Sequence, residues 1–178
     1  MRMNGTVSES EDRRVGEQLF WLLVVAAALH MLYYYPLLPE RVASHFDGSG
    51  RPNGWSGKAA FFAIYAGAVI LMVVIQTATR LSSTRWPISL INLPNKDYWL
   101  SPERRAESVA VLMKYMTGFW SATLLFLMTT MHLAIRVNLG WSKGLGDWFF
   151  VLLGGYILFT IARTISLIRR FSRKDRKA

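Results

Sequence analysis

Long apolar runs alternate with short, charge-rich segments along the chain, and four of the runs are long enough to cross a bilayer. They lie at about residues 19–38, 59–79, 115–135 and 148–168, each near the roughly 20 helical residues that a hydrocarbon core of about 30 Å requires. Backbone groups in lipid must satisfy one another, and the runs lack the period-two alternation of barrel strands. The pattern therefore predicts four membrane-spanning helices. The expected fold class is all-α, an integral membrane four-helix bundle with a short structured extracytoplasmic loop between helices 1 and 2. It forms a single membrane domain over residues 1–178, with a leader at 1–18, an outer loop at 39–58, an inner loop and helix stub at 80–114 and a basic tail at 169–178. The small residues Ala26, Ala27 and Ala28 interrupt the first run instead of following it, and Glu9, Glu11, Asp12 and Glu17 precede it. The first run is therefore expected to be a span and not a cleaved signal.

Basic residues near span ends stay on the cytoplasmic side, so their distribution gives an orientation. Fifteen of the 21 Lys and Arg fall in the leader, the second loop and the tail, and five in the first and third loops. Both termini are thus expected in the cytoplasm of a bacterial cell, in its inner membrane. Trp55, Trp141, Trp148 and Tyr33 to Tyr35 then mark the outer interface, and Trp86 and Trp99 the inner one. Arg163, inside the fourth run, lies near enough to its cytoplasmic end to snorkel. Two small-residue patterns, Ala59, Ala63 and Gly67 in the second run and Gly154 and Gly155 in the fourth, are expected to let helices approach closely, within the chain or between copies. The oligomeric state is left open.

Ser101, Pro102 and Glu103 make a good helix start: a capping hydroxyl, a preorganised first residue and a carboxylate at the positive end of the dipole. A helix from Pro102 to Arg136 is about 50 Å long, so its first turns, carrying Glu103, Arg104, Arg105, Glu107 and Lys114, project below the bilayer.

Composition narrows the chemistry. The chain is 52% hydrophobic with a mean hydropathy of +0.24, above the usual soluble mix. Its net charge of +10 would suggest nucleic acid if it formed one face. Apolar runs separate the basic residues, and the tail offers only Phe171 as a stacking partner, so no nucleic-acid partner is expected. Membrane lipid is an expected partner of the protein; the tail cations are read first as a topology signal, with binding of acidic headgroups as the alternative. Without Cys there is no disulfide, thiolate site or cysteine nucleophile.

The outer loop, residues 38–58, is rich in turn formers: Asp47, Gly48, Ser49 and Gly50 make one turn, and Pro52, Asn53 and Gly54 a second. It is expected to be a structured cap. Leu38-Pro39, His45-Phe46-Asp47, Gly50, Pro52, Gly54-Trp55 and Lys58 together resemble the signature of the membrane family known as domain of unknown function 1648. That domain also forms the amino-terminal part of SdpI-like immunity proteins, which protect bacteria against a sporulation-delaying toxin and take part in its signalling. With its flanking spans the motif covers roughly a third of the chain, and the carboxy-terminal spans of the immunity proteins have no counterpart here. The resemblance implies membership and topology more than immunity. The inner stretch Asn92 to Trp99 resembles a subset of proteins with this domain.

All three histidines fall toward the outer side. His30, His45, His132 and Asp47 would suit zinc or copper if the cap brought them together. The plainer reading is that His45 and Asp47 bond the turn backbone while His30 and His132 bond neighbouring helices, and no cofactor is expected. Gly57-Lys58 fails as a phosphate loop because Pro52 stands where the first glycine belongs and Ala59 replaces the metal-binding hydroxyl. Ser44, His45 and Asp47 are too close in sequence to converge as a triad. No enzyme is expected. The expected function is that of an accessory, immunity-like or sensor component acting through protein contacts, with His45, Asp47, Arg51 and Trp55 outside and Asn95, Asp97, Tyr98 and Trp99 inside as its contact residues. The alternative is a small transporter or metal-binding protein, against which the spans hold few polar groups.

Overall fold

The structure, a computed structural model, describes residues 3–82 and 86–173, with side-chain detail from Arg14 onward and excepting Leu90. Arg2, Arg13, Arg85, Lys174, Arg176 and Lys177, which contribute to the charge bias, and the leader acids Glu9, Glu11 and Asp12 lie outside that detail.

The elements in chain order are helix α1 (Met3–Tyr34), strands β1 (Arg41–Phe46) and β2 (Pro52–Gly57), and helices α2 (Lys58–Ser82), α3 (Lys96–Trp99), α4 (Arg105–Asn138) and α5 (Asp147–Ser172). Among the described residues, four helical stretches are long and apolar enough to cross a membrane: Arg14–Leu37, Lys58–Ser82, Arg105–Asn138 and Asp147–Ser172. They extend the last three expected runs at both ends and the first at its start alone, where the span closes at Leu37, one residue before the expected end. The leader is continuous with α1, and Pro36 closes that helix in a 3-10 turn at Tyr35–Leu37 because proline lacks the N–H that a further turn needs. At the start of α4 the Arg105 N–H donates to the Ser101 carbonyl at 2.9 Å, but the expected hydroxyl cap is not made: Arg104 stands at the N-cap with no side-chain cap hydrogen bond. The regular helix begins at Arg105 and not at Pro102. Glu103 is held below the usual carboxylate range, first by a backbone N–H and then by the Ser101 hydroxyl.

Among the four long helices, α4 is central. α4 packs on α1, on α5 and on α2, while α5 leans on α4 and does not close a ring with the others. Polar rungs join α4 to α5: Tyr115 and Ser166 hydroxyls at 2.8 Å, and Thr123 and Tyr156 hydroxyls at 2.8 Å. The Arg163 guanidinium lies 4.2 Å from the Tyr115 ring centroid and against Gly118, where a Cβ would come within 3.2 Å of it. Its charge is thus covered by an aromatic face on α4.

Within the chain, neither expected small-residue contact is made. Ala59, Ala63 and Gly67 face outward, and a Cβ at Gly67, Gly154 or Gly155 would meet nothing within 4 Å. α2 instead packs through Phe61, Phe62, Tyr65 and Val69, because large side chains fill the wedge between three helices that a small-residue stripe would leave empty. Trp99, expected as an interfacial anchor, is buried with Ile91, Leu93, Leu100 and Phe171, with Trp86 packed alongside.

Candidate functional site

The loop between α1 and α2 folds as an antiparallel hairpin and not as turns alone. β1 and β2 pair Arg41 with Gly57, Val42 with Ser56, Ala43 with Trp55, His45 with Gly54 and Phe46 with Pro52, with a bulge around Ser44. Val42 and Ala43 are buried against the helices, so the inner strand is fixed by packing and the outer strand by the ladder.

The motif residues divide by task. Asp47 holds the tip: one carboxylate oxygen accepts from the Ser49 hydroxyl at 2.6 Å, the Ser49 N–H at 2.8 Å and the Arg51 N–H at 3.0 Å. The Ser49 hydroxyl, then the Arg51 and Ser49 N–H groups, hold this fully exposed carboxyl below its ordinary range. His45 Nδ1 pairs with the Asn53 side-chain oxygen. Gly54 is required opposite it, since a Cβ there would stand 2.9 Å from that of His45. Lys58 ties the base, its ammonium 2.9 Å from Glu40, 3.3 Å from the Leu38 carbonyl and 5.1 Å from the Tyr35 ring centroid. The Arg51 guanidinium donates to the Ser49 hydroxyl at 3.0 Å, and Trp55 is 54% exposed. These two side chains face outward on a braced support.

That support comes from two places the sequence did not single out. Asn138, at the end of α4, accepts from the Ala43 N–H at 2.6 Å and donates to the Ala43 carbonyl at 2.9 Å. One side-chain amide thus pairs a backbone unit on the free side of β1 as a third strand would. The loop before α5 grips the tip: the Leu145 N–H donates to the Gly50 carbonyl at 2.9 Å, and a Cβ at Gly144 would lie 2.7 Å from that oxygen. Gly50 sits at φ +75°, where glycine is favoured. The only sequence signals were an Asn at a helix end and a Ser-Lys-Gly turn, both too common to point across 95 residues.

Residues 22–75 match the family model described as Domain of unknown function (DUF1648). The matched stretch runs from within α1, through the whole hairpin, to within α2. Nothing among curated proteins or solved structures matches the chain. Similarity to the domain therefore covers the braced hairpin and its two flanking helices, while Asn138, Gly144 and Leu145, which brace it, lie beyond the matched residues.

The inner-loop candidates are built differently. Asn95, at φ +52°, donates from its amide to the Phe171 and Ser172 carbonyls at 3.2 and 3.1 Å. The Trp99 indole N–H donates to the Phe171 carbonyl at 2.7 Å. These are the carbonyls that the last turn of α5 leaves unpaired, so the two side chains cap that helix from another segment. Tyr98 stacks under Arg104, 4.3 Å from guanidinium carbon to ring centroid. Asp97 is exposed in the first turn of α3.

The four candidate ligands separate into two pairs. His45 and Asp47 stay in the hairpin, whereas His30 and His132 meet between α1 and α4, Nε2 to Nδ1 at 3.3 Å. No group of three or more His, Cys, Asp or Glu able to hold a metal occurs among the described residues. A second polar contact, Gln76 amide to Thr117 hydroxyl at 2.7 Å, lies buried nearer the opposite end. Between the two contacts, Phe20, Ala27, Val69 and Leu124 fill the core, Leu124 at 0% exposure.

Proposed function

We propose that this protein is a multi-pass component of the bacterial inner membrane, with both termini in the cytoplasm, that acts without catalysis through contacts made by its hairpin on the outer side. What supports the reading is one observation above the others: Asn138 braces β1 and the loop before α5 braces the tip, while the Arg51 and Trp55 side chains are left facing outward. A preorganised loop carrying an aromatic and an arginine loses little entropy on docking, and these residue types dominate contact energies. The charge bias supports the orientation, and the partner is a protein or peptide of the envelope. An immunity or sensing role is the form of this reading that the resemblance to SdpI-like proteins favours. A transport path finds less support, because tightly packed apolar side chains separate the two polar contacts of the core.

The test is a photo-crosslinking amino acid in place of Trp55, with one in place of Asp97 as the comparison, in native membranes. A defined protein adduct from the first position is expected. Lipid adducts alone at Trp55 would remove the reading. A reporter fused after residue 178 must be active in the cytoplasm.

A further inference from the structure

His30 and His132 are far apart in sequence, and α1 and α4 bring one nitrogen of each to 3.3 Å. That distance is long for an N–H donor, whose usual separation is about 2.9–3.0 Å. It equals the edge of a tetrahedron around a metal, since ligands each about 2.0 Å from a tetrahedral centre stand roughly 3.3 Å apart. With protons on His30 Nδ1 and His132 Nε2, both facing nitrogens carry lone pairs. Two tyrosines flank the pair: the Tyr34 ring centroid lies 4.8 Å from that of His30 and 5.6 Å from that of His132, and the Tyr65 centroid 5.9 Å from that of His30.

The donors decide which cation fits. No carboxylate or thiolate joins the pair to make a group of three among the described residues. A divalent ion would therefore bring uncompensated charge into an apolar site, at a cost that falls steeply for a monovalent one. The side chains that can complete the shell are thioethers. Met31, Met128 and Met131 are partly buried on the same core, and Met128 stands one turn before His132 on α4. Imidazole with thioether is a donor set for Cu(I).

We propose that His30 and His132 form a binding site for a single monovalent copper ion between α1 and α4, completed by a methionine thioether for which Met128 is the candidate. The hairpin residues His45 and Asp47 take no part. The site is separate from the hairpin contact proposed above, and either can fail without the other.

The experiment titrates the purified full chain, in detergent under reducing conditions, with Cu(I) supplied as its bicinchoninate complex. One Cu(I) per chain is expected to leave the chelator, and copper-edge absorption on the loaded protein should show imidazole nitrogen together with sulfur. His45→Ala should bind as the wild type does, Met128→Leu should weaken binding at least tenfold, and the His30→Gln, His132→Gln pair should abolish it. Should that double variant lose its gel-filtration peak, the absorption spectrum of the wild type still decides. No uptake by the wild type, uptake persisting in a folded double variant, or a spectrum without imidazole nitrogen would overturn the site. Equal uptake of Zn(II) would overturn the monovalent assignment.

Discussion

The hairpin and the inner loop use the same device in opposite senses. In each, a side-chain amide on one segment satisfies backbone groups of another: Asn138 of α4 for β1, and Asn95 of the inner loop for the end of α5. At the hairpin the clamp is supplied from outside the motif, so the motif's Arg51 and Trp55 remain directed outward. At the inner loop the distinctive residues are themselves the clamp, and Trp99 is consumed by burial and by the Phe171 carbonyl. Two clusters that look alike in sequence thus separate into a presented surface and a latch.

The largest expected effect comes from breaking the latch. Trp99→Ala removes a buried ring packed edge-on to Phe171 and uncaps α5; a loss of about 3–5 kcal/mol is expected. Thermal unfolding, with protease cleavage near residue 172, measures it, and an unchanged midpoint would merge the two regions into one class. Breaking the hairpin's clamp should cost less. Asn138→Ala leaves the Ala43 N–H and carbonyl without that partner, about 1–3 kcal/mol, with faster amide exchange confined to residues 41–57.

A smaller effect concerns pH. The Asp47 carboxyl is depressed in the folded hairpin, so the folded state binds fewer protons than the unfolded one. Its contribution is full above the ordinary carboxylate value of about 3.9 and is lost as pH falls through the depressed value. Exchange of the Ser49 and Arg51 amides should therefore gain protection as pH rises through that window, after correction for intrinsic rates, and Asp47→Asn should abolish the transition. The smallest effect on stability is at the presented surface. Trp55→Ala should change it by less than about 0.5 kcal/mol while abolishing the partner adduct when the crosslinker is moved to Arg51. A large loss of stability there would make Trp55 structural and erase the contrast.

Helix number and placement were legible because they depend on local content: about twenty apolar residues in a row form a span whatever they pack against. The turn at Asp47 was legible for the same reason, since a carboxylate two and four residues from its donors needs no distant partner. Packing faces were not. Ala59, Ala63 and Gly67 read as a contact stripe and face outward within the chain, while Phe61, Phe62 and Tyr65 make the buried face of α2.

By itself the sequence determined the four apolar helices, the turn-forming chemistry of the segment between the first two, and the separation of basic from apolar segments, all properties of neighbours in the chain. Only the tertiary structure decided that Asn138 pairs with Ala43, that Gly144 admits Gly50, that Trp99 seals α5 and that His30 faces His132. Each of these joins residues far apart in sequence, and the packing of whole helices sets their distances, which no local pattern encodes.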